Sequence, residues 1–123
     1  MARLRRAALV GLILSASVAL AGCGTGGAIA EARVSCHHVA RALSLHHRAQ
    51  ASGLSVAARS TLEDRALAEL LRATPSAAAA TSIDGSWNAL MTTINEAERV
   101  PLENLVPALR RLCQVANSST PYL

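Results

Sequence analysis

Four groups of apolar residues in this chain stand three or four residues apart, the spacing that lines one side of an α-helix. The last group is Leu102, Leu105, Leu109, Leu112, Cys113 and Ala116. Before it come Ile83, Trp87, Leu90, Met91 and Ile94, and before those Leu62, Ala66, Leu67, Leu70 and Leu71. The first group is Cys36, Val39, Ala40, Leu43 and His47. No run of β-branched residues alternates as a strand would. The spacing therefore predicts an all-α domain, a small four-helix up-down bundle. With 123 residues there is length for one small domain. Trp87 and Tyr122 are the only aromatic residues, so its core is built mainly from Ala and Leu.

Local signals set the expected boundaries. The first helix is predicted over about Ala32 to Ala51, with Gly53 suited to its end. The second follows Ser60, where Ser60-Thr61-Leu62-Glu63 fits a capping box, and Thr74-Pro75 ends it. Residues 76–81, Ser-Ala-Ala-Ala-Ala-Thr, are too few to hold a helix alone and read as a loop or short turn. Ser82 or Asp84 caps the third helix, and Arg99-Val100-Pro101 closes it. The fourth starts near Pro101. Pro107 falls on its outer side, which predicts a kink or a restart.

Residues 1–22 have a basic start, with Arg3, Arg5 and Arg6, followed by an apolar stretch from Ala7 to about Ala21. That stretch is short for a bilayer-spanning helix, which needs about 20 residues, and suits the core of a signal peptide. It ends in Leu20-Ala21-Gly22-Cys23. This sequence resembles the lipobox of bacterial lipoproteins. The resemblance covers residues 1–23 and implies cleavage before Cys23, a diacylglycerol on its thiol, and anchorage to the outer face of a bacterial membrane. The expected organisation is then a signal peptide over 1–22, a lipidated Cys23 with a flexible tether over 23–33, a helical domain over 34–116 and a polar tail over 117–123.

Three cysteines are present. With Cys23 lipidated, Cys36 and Cys113 remain in an exported chain, where disulfides persist. The simplest expectation is that they pair; two free thiols acting as ligands are the alternative. A Cys36–Cys113 bond closes most of the domain into one loop, worth about 4–5 kcal/mol on the chain-entropy model. It also agrees with an up-down bundle, which sets the start of the first helix beside the end of the last.

The formal charge of +4 shrinks once the signal segment is removed, because nine arginines then face eight acids. Scattered arginines without stacking aromatics argue against nucleic acid as a partner. The histidines come as His37-His38 and His46-His47. Imidazole suits copper or zinc, but the pairs stand nine residues apart, about half a turn around a helix axis. The expectation is three partly exposed histidines and one, His47, on the core face, with metal handling by His37, His38, His46 and His47 as the alternative. No nucleophile elbow or haem-attachment motif is present, and no cofactor is implied. Glu63 is assigned to the cap, and Glu96 and Glu98 to a solvated face. Arg110-Arg111 is a solvated pair or a contact to anionic headgroups. Trp87 is expected in the core, with a partner anchor as the alternative. The function expected is therefore non-enzymatic: a membrane-anchored binding or accessory module whose partner is another envelope protein.

Overall fold

A computed structural model describes residues 25–118. The segment expected as a signal peptide, 1–22, the expected lipidation residue Cys23 and the end of the polar tail lie outside the described residues. Within them the chain is all helical: α1 (Thr25–Ala49), α2 (Val56–Leu71), α3 (Thr74–Ile83), a 3-10 turn (Gly85–Trp87), α4 (Asn88–Glu96) and α5 (Leu102–Asn117). This is a small all-α bundle stapled by one disulfide between Cys36 and Cys113, with the two Cα atoms 5.5 Å apart. No helix among the described residues is long and apolar enough to cross a membrane.

The central element is α1, which packs along α2, α3 and α5. It begins well before Ala32. The segment expected as a flexible tether is helical from Thr25, and Ala28 and Ala32 are fully buried. Two glycines at the start of this helix are unfavourable in isolation, but the buried alanines beyond them extend the core stripe by two turns. Gly53, with φ +82°, supplies the left-handed residue of the α1–α2 connector.

Helix α2 starts at Val56, capped by Ser55, whose hydroxyl accepts from the Ala58 amide at 3.0 Å. The capping box expected at Ser60 is therefore not used; Ser60 lies inside the helix, and Glu63 faces α1 instead. The alanine run expected as a loop forms α3. A six-residue run cannot sustain a helix alone, yet Ala77 and Ala80 are fully buried in the same core as Ala28, Ala32 and Ala42 of α1. Small side chains on both helices let their axes approach closely, so tertiary burial supplies what local propensity lacks. Pro75 has no amide to continue α2, which places the break between α2 and α3. At this junction the buried Ser35 hydroxyl of α1 donates to the Ala73 carbonyl at 3.0 Å.

Asp84 turns the chain from α3 toward α4. Its carboxylate accepts from the Ser86 amide at 2.9 Å and caps the 3-10 turn that presents Trp87. Ser82 does not cap; its hydroxyl donates back to the Ala78 carbonyl. Trp87, Leu90 and Ile94 are buried, while Ile83 ends α3 half in solvent. Helix α5 runs from Leu102 through Pro107 to Asn117 as one element. Pro107 is exposed and near the start of the helix, so the only bond it forfeits is to the Glu103 carbonyl, and the helix does not restart.

Candidate functional site

Two concave regions lie on opposite sides of α1. The first runs between α1 and α5. Arg33 of α1 donates from Nε to the Ala116 carbonyl at 2.9 Å and from a terminal nitrogen to the Ser118 carbonyl at 3.2 Å. Those carbonyls lack helical partners, and a cation there suits the helix dipole. With Cys36 bonded to Cys113 further along, the contacts ascend α1 while descending α5, so the two helices are antiparallel. Between them opens a groove of about 400 Å³, lined by Val39, Ala40, Leu43, Leu109 and the disulfide, with Arg110 at its edge. Its walls are predominantly apolar. The two thiols that could have been ligands are consumed in the bond.

The second region lies where α1 meets α2. His38 pairs with Glu69 and His46 with Glu63. Numbers that rise on α1 and fall on α2 mark an antiparallel pair. His46 Nδ1 stands 2.9 and 3.0 Å from the two oxygens of Glu63, and Gln50 donates to the same carboxylate at 3.0 Å. At the other contact His38 Nδ1 donates to Glu69 at 2.8 Å. Arg41 Nε lies 3.4 Å and an Arg72 terminal nitrogen 3.1 Å from the same carboxylate. Glu69 is 5% exposed, one of two buried polar residues among the described ones. The hydrogen bond from His38 holds its carboxyl below the usual carboxylate range. Burial pushes the other way, and the charges of Arg41, Arg72 and His38 add to the lowering.

The four histidines are thus not brought together. His38 and His46 are half-buried and bound to carboxylates of α2, whereas His37 and His47 are exposed. The expectation of His47 on the core face is corrected: the buried positions of α1 are Ala28, Ser35, Ala42 and Ala49, with Ala32, Cys36 and Val39 beside them. His46, seven residues beyond Val39, continues that side, and His47 does not. The nine-residue separation of the pairs hides the relevant spacing, the eight residues from His38 to His46, which turns only about 80° around the axis. Among the described residues no group of three or more His, Cys, Asp or Glu side chains could hold a metal ion. Glu96 is held by Arg99 at 2.7 Å, and Glu98 is exposed.

A depressed carboxyl pKa fixes a sign. The folded value of Glu69 lies below its unfolded value, so its contribution to stability is complete above the unfolded pKa. It is lost as pH falls through the folded value. The urea midpoint of the protein is expected to drop as pH falls below about 4.5, the ordinary carboxyl value. Glu69→Gln should lower the midpoint at pH 6 and flatten that acid limb, bringing the two proteins together at the acid end. Curves that stay parallel over the whole range would assign the acid dependence to other carboxyls.

No family model, no curated protein and no solved structure matches this chain.

Proposed function

We propose that the chain is an envelope lipoprotein, anchored to the outer face of a bacterial membrane by lipid on Cys23, and that its helical domain is a non-enzymatic accessory module that binds another envelope component. The observation that carries this reading is the Cys36–Cys113 disulfide. A structural disulfide belongs to an oxidising compartment. It also accounts for two of the three cysteines, which leaves Cys23 alone at the end of the Leu20-Ala21-Gly22-Cys23 motif. Helix α1 starts at Thr25, two residues further on, so a lipid on Cys23 holds the bundle against the headgroups. A binding role is supported by the α1–α5 groove, whose aliphatic walls suit contact and whose only nucleophilic sulfurs are oxidised.

The test is the intact mass of the protein extracted from membranes, before and after reduction and alkylation. The expected species begins at Cys23, carries acyl chains and exposes two thiols only after reduction. Cys23→Ser should move the protein out of the membrane fraction without altering the disulfide. An unlipidated mass beginning elsewhere, or thiols free from the start, overturns the reading. The accessory role is read separately, by a photo-crosslinking residue at Ala40 in intact cells. The expected product is one discrete adduct that survives with a probe on Leu43 and disappears with a probe on Arg59, an exposed residue of α2 outside the groove lining. Equal labelling from all three sites rejects a specific partner at the groove.

A further inference from the structure

The α1–α2 face carries more positive charge than its own ion pairs use. A concavity of about 230 Å³ is lined by Arg41 and Leu45 of α1, by Arg65, Ala68 and Glu69 of α2, and by Arg72 at the C-cap of α2. Three arginines and one carboxylate line it, a net charge of about +2, and only Arg41 and Arg72 touch that carboxylate. Their placement follows from the helices. Arg65, Ala68 and Arg72 stand three and four residues apart, so they share one face of α2, and the adjacent Glu69 reaches inward from it. Arg41 and Leu45 are four apart on α1 and stand opposite.

Glu69 acts as the brace. It is buried, His38 holds one of its oxygens at 2.8 Å, and it takes one contact from Arg41 and one from Arg72. Each guanidinium has five N–H donors, so most donors of Arg41 and Arg72 remain open while each side chain keeps one contact to Glu69. Arg65 lines the same concavity, and its side chain makes no ion pair or hydrogen bond among the described residues. The space is several times the roughly 30 Å³ share of one water.

We infer that this concavity is a binding site for a phosphate group, held by Arg41, Arg65 and Arg72, with Glu69 as the positioning residue for the first and last. Three cationic forks approaching from two helices match a tetrahedral group with several oxygens better than a planar carboxylate, which one fork satisfies. The phosphate can belong to a free anion or to a lipid headgroup. Helix α1 rises about 24 Å between Thr25 and Arg41. A lipid-anchored bundle therefore meets headgroups at this site when α1 lies along the membrane and soluble phosphate when α1 stands upright. The site itself does not depend on lipidation, so it can fail while the anchor reading holds.

The test uses the full mature chain in uncharged detergent micelles, with the arginine Nε–H resonances followed by NMR. Inorganic phosphate and a soluble short-chain phosphatidylglycerol are titrated separately. Saturable shifts confined to Arg41, Arg65 and Arg72 are expected, and the probe that saturates at lower concentration identifies the source. Arg65→Ala should weaken binding about tenfold or more, the factor for one lost charge-assisted hydrogen bond. Arg65→Lys should weaken it less, because the charge survives and the fork does not. Arg65 is exposed and unbonded, so an unchanged melting curve for Arg65→Ala is expected and separates binding from folding. Replacing Arg110 and Arg111 by alanine should leave binding intact. The inference is overturned by the absence of saturable shifts with either probe, by unchanged affinity in Arg65→Ala, or by an equal loss on replacing Arg110 and Arg111.

Discussion

Replacing Cys36 and Cys113 together by alanine is expected to lower the midpoint of thermal unfolding by about 16–40 °C. The bond joins residues 77 positions apart. On the chain-entropy model a loop of that size is worth about 4–5 kcal/mol, and for a domain of this size each kcal/mol moves the midpoint by about 4–8 °C. The core gives a reason to expect the full effect. Its largest fully buried apolar side chains are Leu70, Leu90, Ile94, Leu109 and Val39, and much of the remainder is alanine. Each buried alanine removes little more than one methyl from water, worth under about 1 kcal/mol. The closure of α1 onto α5 therefore leans on the covalent bond. Alanine is the proper replacement because Cys36 is 3% exposed, and a serine there would bury a hydroxyl at its own cost. Circular dichroism melts of the double variant and of the unaltered protein in reductant should superimpose. A difference below about 5 °C would show that side-chain packing between α1 and α5 closes the loop unaided.

The same alanine-rich core explains which parts of the fold were legible in the sequence. Large residues at helical spacing mark their faces clearly: Leu105 and Leu109, and Trp87, Leu90 and Ile94, are buried as their spacing predicts. The Cys36–Cys113 pair is reachable by counting once Cys23 is set aside, as the resemblance of Leu20-Ala21-Gly22-Cys23 to a lipobox implies. Alanine gives no such signal. Ala28 and Ala32 read as part of a tether and Ala77 and Ala80 as a loop, yet all four are fully buried, because a small side chain becomes a core residue only when another helix comes close. The cap of α2 was misplaced for a related reason. Both Ser55 and Ser60 can cap, and Glu63, the residue that favoured Ser60, has its partner on α1 in His46. The arginine site needed the pairing of two helices before it could be seen. Arg65, Glu69 and Arg72 share a face by spacing alone, whereas nothing local sets Arg41 opposite them.

Trp87→Ala is expected to destabilise the domain by about 3–5 kcal/mol, the range for removing a large aromatic from a core. Trp87 is 4% exposed and belongs to the same buried cluster as Leu90, Ile94, Leu105 and Leu109. Its position is fixed from the backbone outward. Asp84 is extended, its carboxylate holds the Ser86 amide, and its carbonyl accepts from the Trp87 amide at 3.2 Å. The turn so formed delivers the indole inward at the point where α3 gives way to α4. Neighbours relax only partly into the space a large buried side chain vacates, so a cavity term adds to the lost transfer energy. A partner-binding tryptophan behaves differently: its removal would cost affinity and leave stability nearly unchanged. Urea unfolding followed by far-ultraviolet circular dichroism decides between them, since the variant has lost the chain's one indole. In the unaltered protein that indole reports the same transition by a red shift of its emission as it meets water. A loss below about 1 kcal/mol would place Trp87 outside the energetic core. The full loss, set beside the disulfide result, has a further consequence. The two changes together approach the whole stability of a domain this small, so a chain lacking both Trp87 and the Cys36–Cys113 bond should show no cooperative unfolding transition at 25 °C.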